Sequence, residues 1–93
     1  MIEPSLRPLL ASKARLRFDR HSQSHMLVYP EKGLMLNATA TEVVKLCTGA
    51  HSVVEIIDQL HEKFGSAPRE RIEQEVFDFL QTLSDRGLLE AGP

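Results

Sequence analysis

The sequence predicts one α+β domain, a three-stranded antiparallel sheet followed by three helices. Three observations lead there. Short apolar blocks with a period near two fill residues 15–36. After Asn37 the apolar residues recur at helical spacing instead. The connections between segments are short, which favours neighbours that pair or pack consecutively. A chain of 93 residues has enough surface to bury for one core.

Residues 1–13 form an N-terminal arm ahead of a domain spanning 14–91. Pro4 and Pro8 remove two backbone donors there and discourage regular structure. Leu6, Leu9 and Leu10 nevertheless give the arm an apolar side able to dock on the domain or on a neighbouring chain. Arg15-Leu16-Arg17-Phe18-Asp19 alternates polar and apolar, so a half-buried strand is expected with Leu16 and Phe18 inward. Arg20 to Ser24 reads as a turn. His25 to Tyr29 is the second strand. Pro30-Glu31-Lys32-Gly33 is a tight connection, with Pro presetting φ and Gly tolerating positive φ. Leu34-Met35-Leu36 is the third strand of a meander.

Helical signals follow. Thr39-Ala40-Thr41-Glu42 matches a capping box, and Asn37 is a competing N-cap. The first helix carries Val43, Val44 and Cys47 on one side and is expected to end at Gly49. Ser52-Val53-Val54-Glu55 is a second capping box. It opens a helix with Val53, Ile56, Ile57, Leu60 and Phe64 at helical spacing, stopped by Gly65. The third helix starts near Pro68, a suitable first-turn residue. Its stripe is Ile72, Val76, Phe79, Leu80 and Leu83. Gly87 ends it, and Leu88 and Leu89 follow as an apolar anchor. Three helices on short turns beside a small sheet make a winged helix-turn-helix arrangement.

Composition narrows the function. With a net charge of −2, no strong attraction to nucleic acid or to an anionic membrane is expected. The third helix carries more acidic than basic residues, which opposes the phosphate contacts that a DNA-reading helix makes. No apolar run reaches membrane-spanning length, and Met1-Ile2-Glu3-Pro4 lacks a secretory pattern. One cysteine cannot form an internal disulfide. A cytoplasmic protein is expected. Cys47 and His51 are four apart, but Gly49 should break the helix between them, so no metal site is expected. Glu73, Glu75 and Asp78 read as a solvated helix face rather than a general acid/base pair. The glycines stand singly and form no phosphate-cradling loop. No catalytic constellation emerges.

A binding surface does. The second and third strands are apolar at successive positions, so both sheet faces need cover. The arm could supply it through Leu6, Leu9 and Leu10, or a partner could. The first strand's edge is guarded by Arg15 and Arg17. The third strand, Gly33 to Leu36, has an uncharged edge able to accept another strand. An extended peptide there would gain backbone hydrogen bonds, with apolar pockets selecting its side chains. The third helix is the natural wall of such a groove, and Phe77, outside the main stripe, is a candidate contact. The uncharged edge and the arm leave two states open, a monomer or a homodimer exchanging strand or arm.

The ordered set of segments resembles the PqqD family. It comprises Leu16-Arg17-Phe18-Asp19, His25 through Glu31, Gly33 through Ala40, Leu46-Cys47-Thr48-Gly49, Ser52 through Ile57, Phe79 through Leu83, and Arg86-Gly87-Leu88-Leu89. The likeness covers residues 14–90 and leaves out the first 13. It implies a peptide-recognition domain that binds a leader peptide as an added strand against the third strand. It further implies that the precursor peptide PqqA is presented to the radical-SAM enzyme PqqE on the way to pyrroloquinoline quinone. The chain itself would have no enzymatic activity, cofactor or bound quinone. By position, Leu34, Met35 and Leu36 fall on the strand that carries the peptide. Ile72, Val76 and Phe79 fall on the facing helix, with Phe77 and Leu80 nearby.

Overall fold

The computed structural model describes residues 2–91. In chain order the elements are β1 (Pro8–Leu10), β2 (Arg15–Asp19), β3 (Ser24–Tyr29), β4 (Lys32–Leu36), α1 (Ala38–Leu46), α2 (Val53–Lys63), α3 (Arg69–Asp85) and β5 (Leu89–Ala91). The expected meander is present as β2-β3-β4, with Arg17 opposite Met26 and Met26 opposite Met35. The three helices follow in the expected order. Leu27, Ile56, Leu60, Ile72, Val76, Leu80 and Leu83 are among the residues of one buried cluster between sheet and helices. Burying a side chain of this kind is worth roughly 1.5–3 kcal/mol.

The arm departs most from expectation. Its residues Pro8–Leu10 form β1, which pairs antiparallel with β5. Proline is accommodated because it stands first in the strand. On its other side β1 meets the segment after α1. Leu10 N–H donates to the Cys47 carbonyl (2.9 Å), and Gly49 N–H donates to the Pro8 carbonyl (2.9 Å). This pairing takes the chain out of α1 at Leu46, with Cys47 as C-cap, so the helix ends before Gly49. Gly49 keeps a turning role at φ 83°.

The arm also completes the start of α2. A helix leaves its first four N–H groups without intrahelical partners. Here Val53 N–H donates to Leu6 O (2.9 Å) and Val54 N–H to Pro4 O (3.2 Å), while Ile56 N–H makes the first bond of the helix itself, to Ser52 O (2.9 Å). Glu55 N–H donates to Ser52 Oγ, and the Glu55 carboxylate accepts from Ser52 N–H, so the expected capping box is complete. At α1 the two candidate caps resolve in favour of Asn37, whose Oδ1 accepts from Ala40 N–H (2.8 Å).

Two smaller expectations need correction. The tight turn is Pro30-Glu31, and the positive φ falls on Glu31 (65°) while Gly33 lies in the strand. Phe18 lies on the inner face by register, yet it is 50% exposed. It sits near the end of the sheet, edge-on to His25 with ring centroids 5.1 Å apart.

Candidate functional site: an open strand edge beside α3

β4 is an edge strand, and among the described residues no strand pairs with its outer side. The ladder shows which backbone groups lie there. Pro30-Glu31 is a two-residue connection closing on the pair Tyr29–Lys32. Such a turn makes its closing pair a hydrogen-bonded one, and antiparallel pairs alternate in status. Leu27–Leu34 and His25–Leu36 are then hydrogen-bonded pairs. Gly33 and Met35 belong to the other kind, and their N–H and C=O groups face the free edge. The β2–β3 ladder agrees. Its four-residue loop closes on Asp19–Ser24. That directs the bonding groups of Ser24, Met26 and Val28 to β2 and leaves those of His25, Leu27 and Tyr29 for β4.

The side chains of β4 divide by face. Leu36 is buried and Leu34 half-buried, both inward with Leu27. Met35 is 52% exposed on the outer face. Leu34 and Leu36 therefore anchor the strand, and its edge offers backbone.

One flank of α3 faces the junction where β4 passes into α1. Glu75, Phe79, Thr82 and Arg86 recur at i, i+4, i+7 and i+11 and share that flank. A recess of about 280 Å³ is lined by Asn37, Thr39 and Ala40 at the start of α1, and by Glu75, Asp78, Phe79 and Thr82 from α3. One turn beyond Thr82, Arg86 Nη1 donates to Tyr29 Oη (2.8 Å). Tyr29 is opposite Lys32, the first residue of β4. The last two turns of α3 thus reach from the α1 end of β4 to its hairpin end. The recess is partly acidic, and its carboxylates are engaged on the helix itself. Gln74 Nε2 donates to Asp78 Oδ1 (2.8 Å), and Arg71 lies 3.9 Å from Glu75.

The candidate contacts of the sequence reading separate here. Gly33, Leu34, Met35 and Leu36 lie along the open strand, and Phe79 lines the recess beyond its α1 end. Ile72, Val76 and Leu80 are 2%, 0% and 0% exposed and lie in the core, on the side of α3 turned to the sheet and the other helices. Their role is to support the wall from beneath. Phe77 is half-buried against the core, about 160° around the helix from Phe79 at 100° per residue. It lies on the opposite flank and does not line the recess. Asn37, Thr82 and Arg86 were missed, because polar side chains give no periodic signal. Glu75 and Asp78 were read as a solvated face.

A second recess of about 380 Å³ lies under the β2–β3 loop, lined in part by His25, Thr41, Lys45 and Lys63. Its two lysines are spent on one carboxylate, Glu42, at 2.8 Å from Lys63 and 3.4 Å from Lys45. It also takes in Leu36 and Asn37 at the α1 end of β4. Cys47 is buried, and burial pushes its thiol up to about 12, so it stays protonated and inert. Among the described residues no group of three or more His, Cys, Asp or Glu could hold a metal ion. No described helix is long and apolar enough to cross a membrane.

Comparison with known proteins gives this geometry a relationship. The family model for coenzyme PQQ synthesis protein D (PqqD) matches residues 24–89. A PqqA binding protein of Rhodopseudomonas palustris strain BisB5 is 41% identical over 95% of this chain and 85% of its own length. A PqqA binding protein of Methylococcus capsulatus strain Bath is 32% identical over 88% of this chain and 81% of its own. The solution NMR structure of the PqqD truncation of Methylobacterium extorquens PqqCD superposes with a TM-score of 0.81. It is 31% identical and covers 97% of this chain and 95% of that one. That protein is described as a functional, stand-alone recognition element for ribosomally synthesized and post-translationally modified peptides. The matched segment runs from β3 through the open β4 edge and the whole α3 wall, and with it the chain belongs to the PqqD family.

Proposed function

We propose that this chain is a peptide chaperone of pyrroloquinoline quinone biosynthesis, working in the cytoplasm. It binds the precursor peptide PqqA as a strand added to β4 and presents it to the radical-SAM enzyme PqqE. The observation that carries this reading is the unpaired edge of β4, with the Gly33 and Met35 backbone groups turned outward. The names of the relatives support the same ligand. An added strand gains main-chain hydrogen bonds, and its alternate side chains enter the recess around Phe79. The chain contributes binding and orientation, and the bond-making chemistry belongs to the enzyme.

A transcription regulator of winged-helix type is the reading to separate from this one. The flank of α3 beside the recess carries Glu75 and Asp78, which repel phosphate.

The test follows from the ladder. Proline at position 35 removes an N–H that faces the free edge and leaves the β3–β4 bonds intact, so Met35→Pro is expected to fold. Its affinity for synthetic PqqA in titration calorimetry should fall at least about tenfold, a loss of about 1.4 kcal/mol. Leu34→Pro removes an inward bond instead and should lower the melting temperature. A folded Met35→Pro chain that binds the peptide as tightly as the parent would refute strand addition at β4.

A further inference from the structure

Nothing in the backbone of β4 asks for a glycine at position 33. The glycines with positive φ are Gly49 and Gly87. The β3–β4 register runs one for one from Tyr29–Lys32 to His25–Leu36, so no bulge falls there. A glycine inside a strand weakens it, and otherwise marks a bulge, a bend or the close approach of another group. A Cβ at Gly33 would stand 2.8 Å from Met26 Cε, and the Leu27 carbonyl oxygen, at 4.0 Å, is the other described atom near it. The methionine methyl is the free end of a flexible side chain and can swing aside. The fold therefore has room for a side chain at this position and carries none.

The surroundings of Gly33 show what gains from the gap. The missing side chain would lie on the outer face of the sheet, in the row Arg15–Val28–Gly33. The next row is Arg17–Met26–Met35, and the polar pair Asp19–Ser24 lies beyond that. The face around Gly33 is thus apolar. Val28 stands beside it on β3, Met26 reaches across the gap, and Met35 is 52% exposed on β4 itself. Arg15 is at the far edge, on β2. A strand added at β4 sets one of its residues beside Gly33 with the side chain on this same face.

We infer that Gly33 forms a selectivity subsite for the bound peptide: the peptide residue beside it carries a large apolar side chain, an aromatic ring foremost, which lies across the glycine onto Met26 and Val28. The inference rests on strand addition at β4 and adds to it a side-chain contact on the outer face. Size selects the occupant. Facing side chains in a sheet have Cβ atoms about 4.5–5.5 Å apart. With none on Gly33, a small peptide residue would leave the space above the strand empty. A ring reaches over β4 toward the next strand, about 4.8 Å further, where Val28 stands. Aromatic side chains cover glycines of neighbouring strands in this way. Met26 supplies an adjustable floor, since thioether–aromatic contacts are favourable. A charged peptide residue would meet only Met26, Val28 and Met35 nearby and would lose water without gaining a partner.

The test uses the full chain and synthetic PqqA in titration calorimetry. Gly33→Val fills the gap with a side chain suited to strands, and Gly33→Ala fills it in part. Both variants are expected to melt at or above the parent's temperature, because glycine is the weaker strand former. Peptide affinity should nevertheless fall, at least about threefold for alanine and at least about tenfold for valine. A stability that holds while affinity drops separates a lost contact from damage to the fold. Single alanine substitutions along the peptide then locate the partner. One large apolar position should cost at least about tenfold when truncated against the parent and less than about threefold against Gly33→Val. Affinity equal to the parent's in both variants overturns the subsite, and so does a loss that is the same for every substituted peptide. If Gly33→Val fails to fold, Gly33→Ala and the same peptide series decide the question. Met35→Pro keeps the two readings apart. Weakened binding there, with unchanged binding in both Gly33 variants, leaves strand addition standing and removes the subsite. A parent-like affinity of Met35→Pro strikes strand addition, while the coupling between Gly33 and one peptide position still decides this contact.

Discussion

Cys47 is 3% exposed and ends α1, where its carbonyl accepts the Leu10 N–H of the arm. Burial holds its thiol near 12, so almost no thiolate exists at neutral pH in the folded chain. Iodoacetamide at pH 8 is expected to label the native protein only as fast as the chain opens. Labelling should accelerate with denaturant in step with the loss of helical circular dichroism. Full labelling within the mixing time under native conditions would contradict this placement. The same residue shows what a local pattern conveys. A small apolar side chain at helical spacing with Val43 and Val44 identifies a core position. The capture of its carbonyl depends on residues 37 positions earlier in the chain and leaves no local trace. Phe77 and Phe79 make the complementary case. Both are aromatic and half-buried, and only the rotation of α3 relative to β4 decides which faces the recess. Apolarity marks them equally.

Among the elements, the helices were the most legible, because their stop and start signals are local. Ser52 and Glu55 form both bonds of the capping box, and the same contacts draw the Glu55 carboxyl below its ordinary range, the Ser52 N–H foremost. The β2-β3-β4 meander was legible for the same reason, since short turns pair neighbouring segments. β1 and β5 were not, because three residues are too few to show a period and they pair across the whole chain. The recess likewise joins Asn37 to Thr82, and no window along the sequence holds both. Contacts between helices bear on pH. Glu42 of α1 meets Lys63 of α2 at 2.8 Å, and Lys63, opposed in part by desolvation and aided by Lys45, lowers the Glu42 carboxyl below 4.5. A lowered carboxylate stabilises the fold above its unfolded value and loses that contribution as pH falls through the folded one. Glu42→Gln should therefore melt below the parent at pH 7, with the gap closing once the pH is under the lowered value. The contribution is modest, since Lys63 is more than half exposed and solvent screens the pair. A gap that widens on acidification would reverse the assigned sign.

At the scale of the whole molecule, the arm, the sheet and the helices form a chain of dependencies that leaves β4 free. The arm's backbone bonds go to its own chain: to β5, to the segment after α1 and to the start of α2. Among the described residues none of the arm pairs with β4, whose outer edge stays open. The arm is consequently a stabilising strap, and its removal should act on stability rather than on peptide contact. Deleting residues 1–7 leaves Val53 N–H and Val54 N–H without their carbonyl partners. Val53 is fully buried and Val54 is 41% exposed, so water can replace the bond at Val54 more readily than at Val53. One lost cap-type bond at a buried helix start costs about 1–3 kcal/mol. In a domain of this size each kcal/mol shifts the melting temperature by about 4–8 °C. The truncated chain is expected to melt at least about 4 °C lower while binding PqqA within about twofold of the parent at a temperature where both are folded. Loss of peptide affinity in a truncated chain that melts like the parent would mean that the arm touches the peptide, and β4 would no longer suffice as the binding edge.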